Sequence, residues 1–141
     1  MSPRDLAVAA SLAAVFVPVV ASADPSAPTG ETVTRVFEQA IPNIPGKSLA
    51  VNVVDYAPGG KSAPHRHAGS AFIYAHVLSG AVRSQVNDGP ARIYQAGENW
   101  FEAPGSHHRV SENASATEPA RLLAVFVVAE GDRPLTTPDP D

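Results

Sequence analysis

All five histidines of the chain fall between positions 65 and 108, as His65, His67, His76, His107 and His108. His65 and His67 stand two apart. On an extended strand, residues i and i+2 point to the same face, so both imidazoles project together. At that separation two ring nitrogens reach one metal ion held at ~2.0–2.2 Å. The plainer alternative is a pair of surface histidines on an edge strand. His107 and His108 follow Pro104-Gly105-Ser106, a tight turn that can aim a side chain from a second strand. Several imidazoles converging in one interior are hard to explain as packing, because buried ring nitrogens need partners. The chain has no cysteine, which excludes disulfides, thiolate zinc sites, iron–sulfur clusters and thiol catalysis.

The segments that must position these side chains read as strands and turns. Leu49, Val51 and Val53 alternate with Ala50, Asn52 and Val54 at period two. Ala57-Pro58-Gly59-Gly60 is a turn, and Ala71 to Leu78 is a second apolar run closed by Ser79-Gly80. Ala81 to Val86 is a strand that returns through the hairpin Asn87-Asp88-Gly89-Pro90 into Ala91 to Gln95. Short strands follow at Asn99 to Glu102 and His107 to Ser111, and Asn113 to Pro119 is a polar loop. Arg121 to Ala129 is the most apolar strand, expected to be central and buried on both faces. Glu31 to Ala40 reads as a helical turn or an edge strand, and the pattern does not decide between them. Fourteen prolines against ten glycines agree with many turns and few long helices. Short strands at spacings of roughly 8 to 12 residues give an all-β sandwich or barrel.

Gly59, five residues on, then His65-Arg66-His67 resembles the opening of the first cupin motif, and Tyr74, Val77, Leu78 and Gly80 resemble its close. Gly97, Pro104-Gly105-Ser106-His107-His108 and Asn113 resemble the second motif. The resemblance covers about residues 46 to 129. It implies an all-β double-stranded β-helix, the jelly-roll barrel of that family, commonly dimeric, with a divalent metal held by His, His, Glu and His. Carried over, His65 and His67 are the first two ligands, and His108 rather than His107 is the last. The family's glutamate has no counterpart. It should fall at Ala71 or Phe72, or at Ile73 when counted back from Gly80. The expectation is therefore a three-histidine site holding one divalent transition metal per chain: Fe, Mn, Ni, Cu or Zn. Three neutral imidazoles leave the ion's charge and several positions open to a chelating substrate. The resemblance implies a dioxygenase-type oxidoreductase on a small, oxygen-rich organic substrate. The alternative is a non-catalytic small-molecule or metal-binding module. A weaker reading, a sugar epimerase relative, would use His65 or His76 as base with Tyr74 as acid.

Other side chains could serve the same interior. His76 shares strand parity with Tyr74 and turns inward only if that strand carries a bulge. Glu102 precedes the Pro-Gly turn. It reads as a solvated strand-end carboxylate, with a replacement acid near the metal as the alternative. Arg83 could meet a substrate carboxylate, or form a surface ion pair.

A formal charge of −4, with only ten scattered lysines and arginines, argues against a nucleic-acid partner. Met1 to Ala23 reads as a secretory signal peptide: Arg4, an apolar run from Leu6 to Val20, then Ala21-Ser22-Ala23. The run is short for a membrane span, which needs ~20 residues; an uncleaved anchor is the alternative. The expected organisation is signal peptide 1–23, linker or arm 24–45, cupin domain 46–130 and tail 131–141. Cleavage would give a periplasmic or secreted protein with no stable membrane span and a small-molecule partner. A homodimer formed through edge strands is also expected.

Overall fold

The computed structural model describes residues 30–140. Ten strands occur among them: β1 (Glu31–Ala40), β2 (Lys47–Tyr56), β3 (His65–His67), β4 (Phe72–Ser79), β5 (Ala81–Val86), β6 (Arg92–Gln95), β7 (Asn99–Glu102), β8 (His107–Asn113), β9 (Ala120–Ala129) and β10 (Thr136–Pro138). No helix is present among the described residues. The strands form two five-stranded antiparallel sheets, ordered β1-β2-β9-β4-β7 and β10-β3-β8-β5-β6. This is the all-β architecture that the strand spacing predicts and the double-stranded β-helix that the cupin resemblance implies.

The inner faces of the sheets carry the core. Along β2, Ser48, Ala50, Asn52, Val54 and Tyr56 point inward while Leu49, Val51 and Val53 point out, the period-two alternation of a pleated strand. Two apolar clusters fill the interior. One is built on Ile73, Phe126, Val128 and Leu135. The other is built on Tyr56, Val77, Trp100 and Leu122. Each fully buried large apolar side chain contributes about 1.5–3 kcal/mol. Gly80, at φ +70°, makes the β4–β5 turn, and a Cβ there would stand 2.5 Å from the Pro119 carbonyl oxygen.

Three segments go beyond their sequence reading. Of the two readings open for Glu31–Ala40, the edge strand is found: its pairing with β2 runs from Glu31↔Tyr56 to Ala40↔Ser48. The tail contributes a strand, since β10 adds to β3 through Thr136↔His67 and Pro138↔His65. β9 is central in its sheet, but only its inner face is fully buried. Leu123, Val125 and Val127 are half-buried, since no layer covers the outer face among the described residues. The expected signal peptide lies outside the described residues.

Candidate metal centre

β3 and β8 bring the histidines together. His65 and His108 are register partners on adjacent antiparallel strands, and His67 follows His65 on the same face. The ring centroids lie 4.8 Å apart for His65–His67, 5.0 Å for His65–His108 and 6.2 Å for His67–His108. One ligand nitrogen from each of the three lies within 4.8 Å of the others. Gly105, at φ +79°, turns the chain into β8. The Asn87 side chain caps that turn by accepting from the His107 N–H at 2.9 Å.

The tautomers follow from fixed acceptors. His65 Nδ1 donates to the Ala63 carbonyl at 2.8 Å. His67 Nδ1 donates to the Leu135 carbonyl and to Thr136 Oγ1, both at 3.2 Å. A carbonyl can only accept, so each proton sits on Nδ1 and each Nε2 keeps its lone pair. His108 meets the Ser84 hydroxyl through Nε2 at 2.9 Å and Glu102 through Nδ1 at 3.2 Å. Trp100 stands edge-on to the His108 ring, and Phe126 edge-on to His67. Burial, chiefly, pushes the pKa of His108 down to about 4 and lowers that of His65. Both rings are therefore neutral at pH 7, the form of imidazole that ligates a metal.

Glu102 is not a solvated strand-end carboxylate. It is 2% exposed, because alternation along β7 turns Trp100 and Glu102 inward and leaves Phe101 outside. Oε1 accepts from Trp100 Nε1 at 3.3 Å. Oε2 is buried without a hydrogen-bond partner, and His67 Nε2 stands 3.4 Å away. Burial by itself would raise this carboxyl. The neighbouring His67 and His108 imidazoles and the indole N–H outweigh burial and hold its pKa below the ordinary value. Glu102 is also the register partner of Ile73, one of the positions where the cupin motif would place its glutamate. The carboxylate has in effect moved one strand over, from β4 to β7.

With its proton on Nδ1, His67 sets an Nε2 lone pair against this carboxylate oxygen, a repulsion that a cation between them, a proton or a metal ion, relieves. The 3.4 Å gap is long for N–H···O bonding, which favours 2.7–3.2 Å. It matches the roughly 3–3.6 Å between neighbouring donor atoms of a metal held at ~2.0–2.2 Å. The residues present therefore fit a divalent transition metal, with three imidazoles and one carboxylate as donors.

The remaining predicted residues stand elsewhere. His107 points away from the cluster and pairs through Nε2 with Asp139 at 2.7 Å, pinning the C-terminal arm. Tyr74 and His76 lie on the outer face of β4, their side chains hydrogen-bonded at 3.1 Å. The β4 irregularity falls between Val77 and Ser79, beyond His76, and so does not turn it inward. Arg83 is exposed and pairs with Glu112. None of these four lines the cavity. Sequence reasoning missed Ser84 on His108, the Leu135 and Thr136 acceptors of His67, and Tyr56. The Tyr56 hydroxyl lies between Ser62 and Ser111 at 2.7 and 2.8 Å, and burial pushes its pKa up to about 12. The available signal was Asn52 and Tyr56, polar groups sharing the inward parity of β2.

The cluster opens into a cavity of about 550 Å³ between the sheets, walled by Val54, Ile73, Leu122, Phe126 and Leu135. With fold and site in view, comparison with known proteins gives the class. The family model described as a cupin domain matches residues 52–126, more than half of the 141 residues, and the chain belongs to the cupin family. Among solved structures it is similar to recombinant oxalate oxidase in complex with glycolate. That match has TM-score 0.61 and 24% identity over 80% of this chain, which spans 57% of the length of that protein. A double-stranded β-helix protein from Klebsiella pneumoniae matches with TM-score 0.58 and 21% identity, over 71% of this chain and 78% of that one. TT1209 from Thermus thermophilus matches with TM-score 0.56 and 26% identity, over 72% of this chain and 87% of that one. No curated protein matches the chain.

Proposed function

We propose that this cupin holds one divalent transition metal through His65, His67 and His108, with Glu102 as the anionic donor, and acts on a small oxygen-rich organic acid as a dioxygenase-type oxidoreductase. The observation that carries the metal reading is the buried, unpartnered Glu102 Oε2 facing His67 Nε2. When bound, such a metal supplies Lewis acidity and a template that orients a chelating substrate. The protein's own groups prepare the site. The Ala63, Leu135 and Thr136 acceptors fix which nitrogens of His65 and His67 are free. Glu102 supplies negative charge, and the apolar walls exclude water, which strengthens every charge interaction inside. The similarity to oxalate oxidase bound to glycolate supports a small carboxylic acid as ligand.

The test is elemental analysis of untagged protein beginning at Asp24. About one metal per chain, lost on His108→Ala, is the expected result, followed by oxygen uptake on a panel of hydroxy acids, diketones and catechols. No metal after incubation with Fe, Mn, Ni, Cu and Zn overturns the reading. Metal without oxygen consumption favours the second reading, a non-catalytic binding module. Ile73 at a position where the family's ligand set has glutamate speaks for that alternative. Export to the periplasm or beyond is proposed from the Leu6–Val20 run and Ala21-Ser22-Ala23; N-terminal sequencing that finds Met1 retained would count against it.

A further inference from the structure

The cavity has a second polar end. Arg35 is the only lysine or arginine on its walls among the described residues. Arg35 and Asn52 are register partners on β1 and β2. Arg35 Nε donates to Asn52 Oδ1 at 2.6 Å, so a 7%-exposed amide holds the guanidinium against the cavity wall. The β1 pairing slips between Arg35 and Phe37. That bulge puts Glu38 on the same face as Arg35, where a regular strand would send it outward. Glu38 binds both Arg35 and Arg133 of the C-terminal arm. Two arginines share one carboxylate, so the group keeps a net positive charge. Glu31, the other charged β1 residue on this wall, pairs opposite Tyr56, four residues or about 13 Å further along the strand.

The register sets the distance to the metal end. Glu38, Ala50, Phe126, Ile73 and Glu102 lie in one rank across the sheet, and Arg35, Asn52, Ala124, Ala75 and Trp100 in the next. Arg35 and Glu102 thus stand on opposite edge strands. Their backbones are four strand spacings apart, about 19 Å, shortened by the inward reach of both side chains. Between the two ends, Phe126, Ile73, Ala124 and Ala75 of these ranks line the cavity with apolar surface, and Tyr56, Ser62 and Ser111 add polar groups to its wall.

We infer that Arg35, supported by Asn52, is a specificity-determining residue that binds a carboxylate at the far end of an elongated ligand whose other end chelates the metal. The ligand class is a dicarboxylic acid with an oxygen-rich head, an apolar middle and a terminal carboxylate. The inference rests on the metal reading above and adds the second anchor. A guanidinium offers a planar pair of donors to a carboxylate, a contact stronger than that between neutral groups.

The experiment is calorimetric titration of the zinc-loaded full chain with 2-oxo diacids of five to eight carbons, each matched to the 2-oxo monoacid of equal length. The expected result is a diacid preference that peaks within the series at about tenfold. Arg35→Met erases that preference while leaving the monoacid Kd and the zinc stoichiometry unchanged. Glu38→Gln, which uncovers more of the guanidinium's charge, tightens the diacids and not the monoacids. Equal binding of diacids and monoacids by the unaltered protein overturns the inference. So does an Arg35→Met variant that weakens both alike, or a zinc-loaded protein that binds neither series. A protein that takes up no zinc fails at the earlier step, the metal reading itself.

Discussion

Glu102 stands where a carboxylate is costly: it is 2% exposed, with one oxygen that no donor satisfies. Taking an ion out of water costs several kcal/mol unless other charges or hydrogen bonds offset it. The Trp100 N–H and His108 offset part, and His67 Nε2 stands 3.4 Å from the other oxygen, beyond good hydrogen-bond length. Glu102→Gln should therefore change sign with metal content. In the metal-free protein the amide can donate to His67 Nε2, so the melting temperature should rise. In the metal-loaded protein an anionic donor is gone, and affinity should fall about 10–100-fold, the range seen when groups supporting a site are removed. Parallel melting curves with and without metal check this, and a fall in both states would assign Glu102 a purely structural role. The histidines give a pH dependence. With the folded His108 pKa at about 4 against an ordinary value near 6.5, the unfolded chain binds the proton first as pH falls. The stability is complete above ~6.5 and is lost progressively down to about pH 4, on the order of 3 kcal/mol for His108. His65 shifts in the same direction, and Glu102, held low, loses its share only at more acid pH. Urea unfolding of metal-free protein should show the decline, and His108→Gln should flatten it.

At the scale of elements, the site depends on strand parity. Ile73 and Glu102 are register partners that both face the interior, so a carboxylate on either strand enters the same space. Ile73→Glu in a Glu102→Ala background should regain most of the metal affinity that Glu102→Ala loses. Ile73→Glu alone should destabilise the protein, because it buries two carboxylates side by side. Equilibrium dialysis against zinc, with circular dichroism for folding, separates these outcomes. The same parity explains what was legible in the sequence. The His65-x-His67 spacing, the Pro104-Gly105 turn and the alternation of β2 depend on neighbours along the chain, and each marks a real element. Glu102 was visible as a candidate but was weighted toward solvent, since a carboxylate before a turn ordinarily faces water. Its burial follows from the pairing of β7 with β4, a contact between distant segments that period-two patterning does not encode. The strand in the tail is silent in the sequence for the same reason. Thr136-Thr137-Pro138 carries no strand signal of its own, and its extended form comes from pairing with β3, held by the His107–Asp139 contact. Arg35 gave no signal at all, because its inward aim comes from pairing opposite Asn52 of β2, another contact between distant segments.

For the whole molecule, the outer face of the β1-β2-β9-β4-β7 sheet is the surface that the described residues leave open. Phe72, Tyr74 and Phe101 are exposed there, with the Phe72 and Phe101 rings stacked at 5.8 Å, and Leu123, Val125 and Val127 are only half-buried. Phe37, 48% exposed on β1, adds to the same side. Contiguous apolar surface of this kind marks an interaction site in most soluble proteins. The sequence favours pairing through an edge strand, and β1 is such an edge, but its bulge interrupts the row of donors and acceptors that a second strand would need. Burying the sheet face brings the larger gain, because apolar area removed from water is worth about 25 cal/mol per Å². We therefore expect a homodimer formed face to face through this sheet, with the cavities opening away from the interface. Sedimentation equilibrium should give twice the chain mass. The double variant Phe72→Glu, Val125→Glu should sediment as a monomer and still bind metal, because both side chains point opposite to the histidines. A monomer before any substitution would leave this face to another partner. A dimer that survives the double variant would move the interface to the β1 edge.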